Sequence, residues 1–442
     1  MKAIYDQPLP NGWSEEPLGK VVITRRGYTW EKADEIDRAE AETVPVIRIP
    51  NVQDTLDLSD LIHLRNVSQR ALEKAAVTKD WLLFVGSNGT QDRIGDSVLI
   101  EEDRPMVFAS FLMGIQPKEQ GRLRSDFFAH WMRLHLVHEV FSKTSQQTTG
   151  LANFSWGAVK KLPVRFPTCI DEQRRIAAAL KLADEAILKT QSELDATREL
   201  KRSLLSNVFE RGLTPGVATK PCKIHRCYTA MIPNHWDDDK LGKNLMLVEY
   251  GTNAPSNDYR GGYPVIAIPQ VVAPHLTLTD VPFAEVPDGE AAALRLETDD
   301  VLLIRTNGNP EFIGKSTIVS KEVAATHTIY ASYLIRLRTK KDQLLGAYLN
   351  YFLASPLGRR QAGASANTSA GNNNIGARAI KQFRLPRPPI EEQEQIVGLL
   401  DTLEKQIDAQ TAKVSAALEL KRSLLQNLLT GKIRIPEGAI HA

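Results

Sequence analysis

The heptapeptide Glu-Leu-Lys-Arg-Ser-Leu-Leu occurs twice, at Glu199–Leu205 and at Glu419–Leu425, 220 residues apart in a chain of 442. An identity of that length at that distance marks an internal duplication. The match continues on both sides without a gap: Ile170-Asp171-Glu172-Gln173 pairs with Ile390-Glu391-Glu392-Gln393, Ile176 with Ile396, Ile187 with Ile407 and Asn207 with Asn427. A half-molecule written twice can fold about an approximate two-fold axis inside one polypeptide, which restricts the architectures open to it.

The repeated segments carry heptads. Ile176, Leu180, Ala183, Ile187, Thr190, Leu194, Thr197, Lys201, Leu204 and Val208 follow an alternating spacing of four and three. Ile396, Leu400, Leu403, Ile407, Gln410, Val414, Ala417, Lys421, Leu424 and Leu428 hold the equivalent places. This stripe predicts two long helices joined in a coiled-coil seam, with the polar members Thr190/Gln410 and Lys201/Lys421 fixing register. Pro167 and the prolines at 386–389 precede the helices, and Asp171-Glu172 and Glu391-Glu392 fall in the first turns, where the helix dipole favours negative charge. Gly212 and Gly431 stand where helices stop. About 40 residues at a 1.5 Å rise gives each helix roughly 60 Å.

The segments between the helices match more faintly. Pro10-Asn11-Gly12-Trp13 corresponds to Pro233-Asn234-His235-Trp236, Leu18-Gly19-Lys20 to Leu241-Gly242-Lys243, and Pro45–Pro50 to Pro264–Pro269. Asn88-Gly89 aligns with Asn307-Gly308, Phe108–Leu112 with Tyr330–Leu334, and Asn153-Phe154 with Asn374-Ile375. β-Branched runs at Val21–Thr24, Trp81–Val85 and Val301–Ile304 predict strands; Phe127–Phe141 and Leu344–Leu353 predict helices. The expected fold is α+β: similar globular domains at 1–165 and 213–389, long helices at 166–212 and 390–432, and a tail at 433–442. Between the shared landmarks the residues differ widely, as expected of two domains that hold the same kind of ligand but read different versions of it.

Composition sets outer limits. Hydrophobic residues at 42% and charged residues at 24% suit a soluble chain of two to four units. No apolar run reaches about 18 residues, and the start, Met1–Asp6, lacks the apolar core of a signal peptide. Three cysteines fit a reducing compartment, so a cytoplasmic location is expected. A net charge of +2 names no partner; contact with a polyanion must come from local clustering.

In their order and duplication these features resemble the specificity subunit of a type I restriction-modification enzyme. The likeness spans the whole chain. It rests on two divergent domains, each opening near Pro-Asn-x-[Gly/His]-Trp and Leu-Gly-Lys, and on two helices entered through Ile-x-Glu-Gln and closing with Leu-Lys-Arg-Ser-Leu-Leu. The resemblance implies antiparallel spacer helices between two target-recognition domains, each reading one half of a bipartite, asymmetric site on double-stranded DNA. It also implies docking of two modification (methyltransferase) subunits, which further restriction subunits can join. On that reading this chain binds no cofactor; S-adenosylmethionine belongs to the modification partner, and ATP and magnesium to the restriction partner.

DNA contacts are expected from loops, with Arg and Lys suited to guanine or phosphate and Asn and Gln to adenine. In the first domain the candidates are Arg25, Arg26, Tyr28, Arg48, Ser87, Asn88, Lys143, Gln146, Gln147 and Thr148; in the second they are Tyr259, Arg260, Thr306, Asn307, Asn309, Asn367, Thr368, Asn372 and Asn373. An ordinary surface turn is the competing reading for each. Arg48 and Ala267 share a framework slot with different chemistry, as divergent readout would need. In the duplicated motif, Leu200, Lys201, Arg202, Leu204 and Leu205, with Leu420, Lys421, Arg422, Leu424 and Leu425, read either as helix packing or as a surface for a partner. Packing tolerates hydrophobic exchange, so retention of all seven residues favours a surface also read from outside.

Cys222-Lys223-Ile224-His225-Arg226-Cys227 lacks the second ligand pair that a zinc site needs, so no metal is expected. Asn309-Pro310-Glu311-Phe312 resembles the Asn-Pro-Pro-Phe motif of amino-methyltransferases, but Glu311 replaces the second Pro and no Gly-rich cofactor loop accompanies it; a turn is the better reading. No phosphate-binding loop is present. The chain alone is expected to be non-catalytic. Two other readings stay open: a self-contained DNA-modifying enzyme with unrecognised motifs, and a two-headed scaffold that binds only proteins.

Overall fold

The computed structural model describes residues 5–148, 151–225, 228–258, 261–369 and 372–438. The chain forms two compact units, one of residues Met1–Gln191 with Ala412–Ala442 and the other of Ser192–Thr411. Each unit therefore joins one globular domain to half of each long helix.

Each domain is organised around one fully buried strand. Leu82–Val85 is sealed on both faces: Leu82 and Phe84 enter one core with Phe127, Phe128 and Trp131, while Leu83 and Val85 enter another with Val46, Ile47 and Val107. The second domain repeats this with Val301–Ile304, Val301 and Leu303 facing Tyr348 and Phe352, and Leu302 and Ile304 facing Val265 and Ile329. Alternate side chains of a strand point to opposite faces, so an unbroken apolar run fits a strand covered on both sides. Burying each such side chain is worth at most about 1.5–3 kcal/mol.

Around that strand lies a four-stranded antiparallel sheet, in the order Val22–Arg26, Leu112–Pro117, Leu82–Val85 and Ser97–Leu99. Its counterpart runs Leu245–Tyr250, Leu334–Thr339, Val301–Ile304 and Ser316–Ile318. A second sheet in each domain holds a parallel pair, Val46 beside Val107 and Val265 beside Ile329. The apolar run at 127–141, expected as one helix, is two, Ser125–Met132 and His135–Lys143; Leu134 leaves the helical backbone between them and buries its side chain.

The landmark motifs close each domain at its helix. Trp13–Pro17 pairs antiparallel with Pro163–Pro167, and Asp237–Lys240 with Arg384–Arg387. The glycine of Leu-Gly-Lys is required by a close approach: the Gly19 N–H donates to Lys160 O at 2.8 Å, and a Cβ there would lie 3.1 Å from Lys160 Cβ. Gly242 makes the same contact with Lys381, where a Cβ would lie 2.9 Å away.

The first long helix is Ile170–Arg211 and the second Ile390–Leu428. They run antiparallel. In one unit Ile176 and Leu180, near the first helix's start, share a core with Leu425 and Leu428 at the second's end. In the other, Val208 and Phe209 share a core with Ile396 and Leu400. The seam lysines pair across the helices: Lys421 Nζ lies 2.6 Å from Asp184 Oδ1, and Lys201 pairs with Glu404. Thr190, expected as a register residue, turns its hydroxyl back to Ala186 O at 2.9 Å, so that part falls to the lysines.

The Glu-Gln pair at each helix start has a specific cause. Gln173 is fully buried; its amide donates to Pro167 O at 2.7 Å and Arg122 O at 2.8 Å, and its Oε1 accepts from Arg124 N at 2.9 Å. Gln393 does the same with Pro388 O at 2.9 Å, Gln343 O at 3.0 Å and Leu345 N at 2.9 Å. Two donors and one acceptor at that reach are the inventory of glutamine alone. Gln393→Glu loses one donor and buries an acid; a loss of roughly 1–3 kcal/mol is expected in urea unfolding, with Gln393→Met no better.

His130 is buried and held near pKa 4, first by burial and then by the nearby Arg133. Its folded value lies below the unfolded one of about 6.5. The unfolded chain thus takes up this proton first, and the stability due to the neutral ring, present above about pH 6.5, is lost as pH falls towards 4. His130→Phe should remove this slope, so melting temperatures of variant and parent should diverge on acidification, the variant losing less.

Candidate nucleic-acid interface

Loops far apart in sequence meet as a small polar sheet in each domain. In the first, Gln146–Thr148, Leu151–Asn153 and Ser87–Asn88 lie side by side. In the second, Thr306–Asn307, Asn372–Asn374 and Asn367–Ser369 do so. The same side-chain bond locks both: Ser87 Oγ donates to Asn153 Oδ1 at 2.8 Å, and Thr306 Oγ1 to Asn374 Oδ1 at 3.1 Å. Asn307 Oδ1 accepts from Asn309 N at 2.7 Å, and Asn88 Nδ2 donates to Thr90 Oγ1 at 3.1 Å. Asn373 Nδ2 reaches Gly308 O at 3.3 Å. The result is a sheet of short strands bearing amides and hydroxyls, side chains that can both donate to and accept from a base edge.

Most of the amide and hydroxyl candidates therefore come together. For Gln146, Gln147, Thr148 and Thr368 the backbone is in these sheets while their side chains lie outside the described residues. Tyr259 and Arg260 lie outside the described residues altogether. Asn367 and Asn372 are exposed. Lys143 is exposed at the end of its helix and paired with Glu139.

The remaining candidates lie outside the strands of the amide sheet. Arg25 requires correction. Its guanidinium lies 3.9 Å from the Trp81 ring centroid, bonds to Thr78 Oγ1 at 3.0 Å and Ala76 O, and is lowered to about pKa 10 by burial. It closes the end of helix Gln69–Ala75, and periodicity could not show this because strand alternation does not reveal which face is covered. In the second domain Arg336, on the neighbouring strand, bonds to Arg295 O at the end of the equivalent helix Asp288–Leu294 and pairs with Glu249. Glu249 stands in the Arg25 slot and Arg336 in the Gly114 slot. Arg48 is half-buried against Asp60 at 3.2 Å. Its backbone N–H donates to Asn51 Oδ1 at 2.7 Å, as Ala267 does to Gln270 Oε1 at 3.1 Å: one frame, different side chains. Tyr28 stacks on Trp30. Arg26 is exposed on the edge strand, and its side chain has no hydrogen-bond or ion-pair partner among the described residues.

On the helices the duplicated motif splits in two. Lys201 and Lys421 form seam ion pairs, Leu204, Leu205 and Leu424 are half-buried, and Leu425 is buried. Leu200 and Leu420 are 57% and 59% exposed, beside exposed Arg202 and Arg422. Asn309 caps the short turn Pro310–Phe312 through Glu311 N at 2.9 Å, so that motif is a turn. Burial and Asp238 push the Cys222 thiol up to about 12, and no group of three or more His, Cys, Asp or Glu able to hold a metal occurs among the described residues.

The type I restriction modification DNA specificity domain matches residues 10–196 and 258–420, and the chain belongs to that family. It is 25% identical over 436 residues to the type I restriction enzyme EcoKI specificity subunit of Escherichia coli strain K12, covering 96% of this chain and 90% of that one. It is 22% identical over 438 residues to the StySPI specificity subunit of Salmonella potsdam, covering 96% and 89%. Among solved structures it is similar to the S subunit of a type I system from M. genitalium, with a TM-score of 0.57 at 13% identity, covering 96% of this chain and 98% of that one. A chain from a structure of type I complex assembly and conformational transition also has a TM-score of 0.57, at 17% identity, covering 97% and 100%. The class is thus a specificity subunit, the non-catalytic component that gives a type I restriction-modification complex its DNA sequence specificity.

Proposed function

We propose that each domain reads one half of a bipartite, asymmetric site on duplex DNA through its amide sheet, and that the long helices set the gap between the halves. The observation that carries this is the pair of amide sheets, built on matching hydrogen bonds yet furnished with different side chains. With a net charge of only +2, part of the phosphate attraction comes from the partner subunits. The helices, 42 and 39 residues long, span about 60 Å, which suits half-sites a turn or more of DNA apart.

Two modification subunits are proposed to dock on the helices. Leu200 and Leu420 each precede a seam lysine, and Leu399 and Leu182, 41% and 55% exposed, each precede a seam residue on the other helix. All four lie on the same flank of their stripe. Each unit thereby offers a pair of exposed leucines from two helices, apolar surface whose removal from water would favour a docked partner. S-adenosylmethionine belongs to those subunits, and ATP and magnesium to two restriction subunits that can join them.

Methylation mapping of host DNA with and without the chain tests the reading, since it reveals both half-sites and the gap. Absence of any sequence preference would favour a protein-only scaffold, and methyl transfer by the purified chain alone would favour a self-contained enzyme. Inserting one heptad into both helices should lengthen the preferred gap; an unchanged gap would remove the ruler. Leu200→Asp with Leu420→Asp should weaken assembly with modification subunits by about tenfold or more, with the chain's own melting unchanged.

A further inference from the structure

Next to the amide sheet the two domains supply an arginine from different strands. Backbone bonds fix the equivalence. The Gly86 N–H donates to Phe111 O at 2.9 Å, and its carbonyl accepts from Phe154 N at 2.7 Å; the Arg305 N–H donates to Tyr333 O at 3.0 Å, and its carbonyl accepts from Ile375 N at 2.9 Å. Gly86 and Arg305 thus share one slot, where the four-stranded sheet passes into the amide sheet. Arg26 and Tyr250 share another, opposite Met113 and Ile335.

In the first domain no side chain leaves the Gly86 slot, where a Cβ would lie 3.0 Å from Met113 Cγ, and the cation is the exposed Arg26. In the second, tyrosine replaces that cation and the guanidinium comes from Arg305. It lies 4.8 Å from the Tyr250 ring centroid, and its Nη1 donates to Ser332 O at 3.3 Å. The Tyr250 hydroxyl is held in turn by the Ala377 N–H at 3.0 Å. Arg305 is half-buried, its Nε is buried without a partner, and Nη2 has none among the described residues. Frame hydrogen bonds thus use one of its five donors.

We propose that Arg305 is a specificity-determining residue of the second domain, reading a guanine edge in that half-site; this rests on the domain being a DNA reader. The residue directly precedes Thr306 and Asn307 of the amide sheet, so its long side chain stands at the border of that sheet, and Asn307, two residues on, shares its face of the extended chain. Stacking on Tyr250 holds the long side chain in place before DNA arrives, which lowers the cost of ordering it on binding. The guanidinium fork matches the O6 and N7 acceptors of guanine, a pairing that an ammonium group cannot reproduce in the same geometry. Tyr250 is then a positioning residue, and Arg26 the first domain's counterpart, arriving from the edge strand.

The test uses the chain assembled with modification subunits and duplexes in which each base pair of the second half-site is replaced in turn. Arg305→Lys should lower discrimination about tenfold or more at a single G·C position. The first half-site and the salt dependence of binding should stay as in the parent. At that position 7-deazaguanine, which lacks the N7 acceptor, should weaken the parent but not the variant. Tyr250→Leu should relax the same position. A lysine variant with the parent's full profile overturns the proposal, as does one weakened equally on every sequence, which would make the contact one to phosphate. A parent complex without preference in either half-site overturns the DNA-reading function itself, and the two failures are thereby told apart.

Discussion

A buried amide helps fasten each domain to its helix, beside the apolar core the two share. Gln173 and Gln393 sit at the first turn and bond to three backbone groups from two separate segments of the domain above. An unpaired buried donor or acceptor costs more than the net worth of the bond it would have made. Losing any one of the three bonds therefore costs more than that bond is worth. Because the clamp is made to backbone, it constrains no side chain elsewhere in the domain, and the residues that face a ligand can change without disturbing it.

The same separation of frame from content runs through both domains. The Ser87–Asn153 and Thr306–Asn374 bonds fix two amide sheets in the same way, and the Gly19 and Gly242 contacts fix two domain entrances. The residues hung on those bonds differ. Divergence of specificity needs only such a division: hydrogen bonds between backbone groups or short side chains carry the geometry, and the longer side chains carry the choice.

The sequence made the helices, their heptads and the duplication legible, because period and identity survive without any knowledge of the third dimension. It also pointed to the loops that meet in the amide sheets, since Asn, Ser and Thr in turns are conspicuous. It could not show that they join as strands, for segments of two or three residues carry no period. Nor could it separate Arg25 from Arg26. Neighbours on a strand face opposite ways, and only the presence of Trp81 and the helix end on one side decides which is committed to the interior. Nor does the sequence mark Arg305 beside Thr306, because its partner Tyr250 lies more than fifty residues away. The antiparallel sense of the helices is an expectation that the family resemblance supplies; the ion pairs of Lys201 and Lys421 give it a physical cause.

The arginine that closes a helix end in each domain comes from a different strand, Arg25 from one and Arg336 from its neighbour, with Gly114 and Glu249 as the matching residues. A Cβ on Gly114 would already lie 2.9 Å from Arg25 Cγ, so the two solutions exclude each other. Aligned column by column, they look like unrelated substitutions, although they preserve one cation at one place. Hybrids that exchange single strands between the two copies would crowd two guanidinium groups against one carbonyl, or leave it with none. Grafts ought to travel as whole domains.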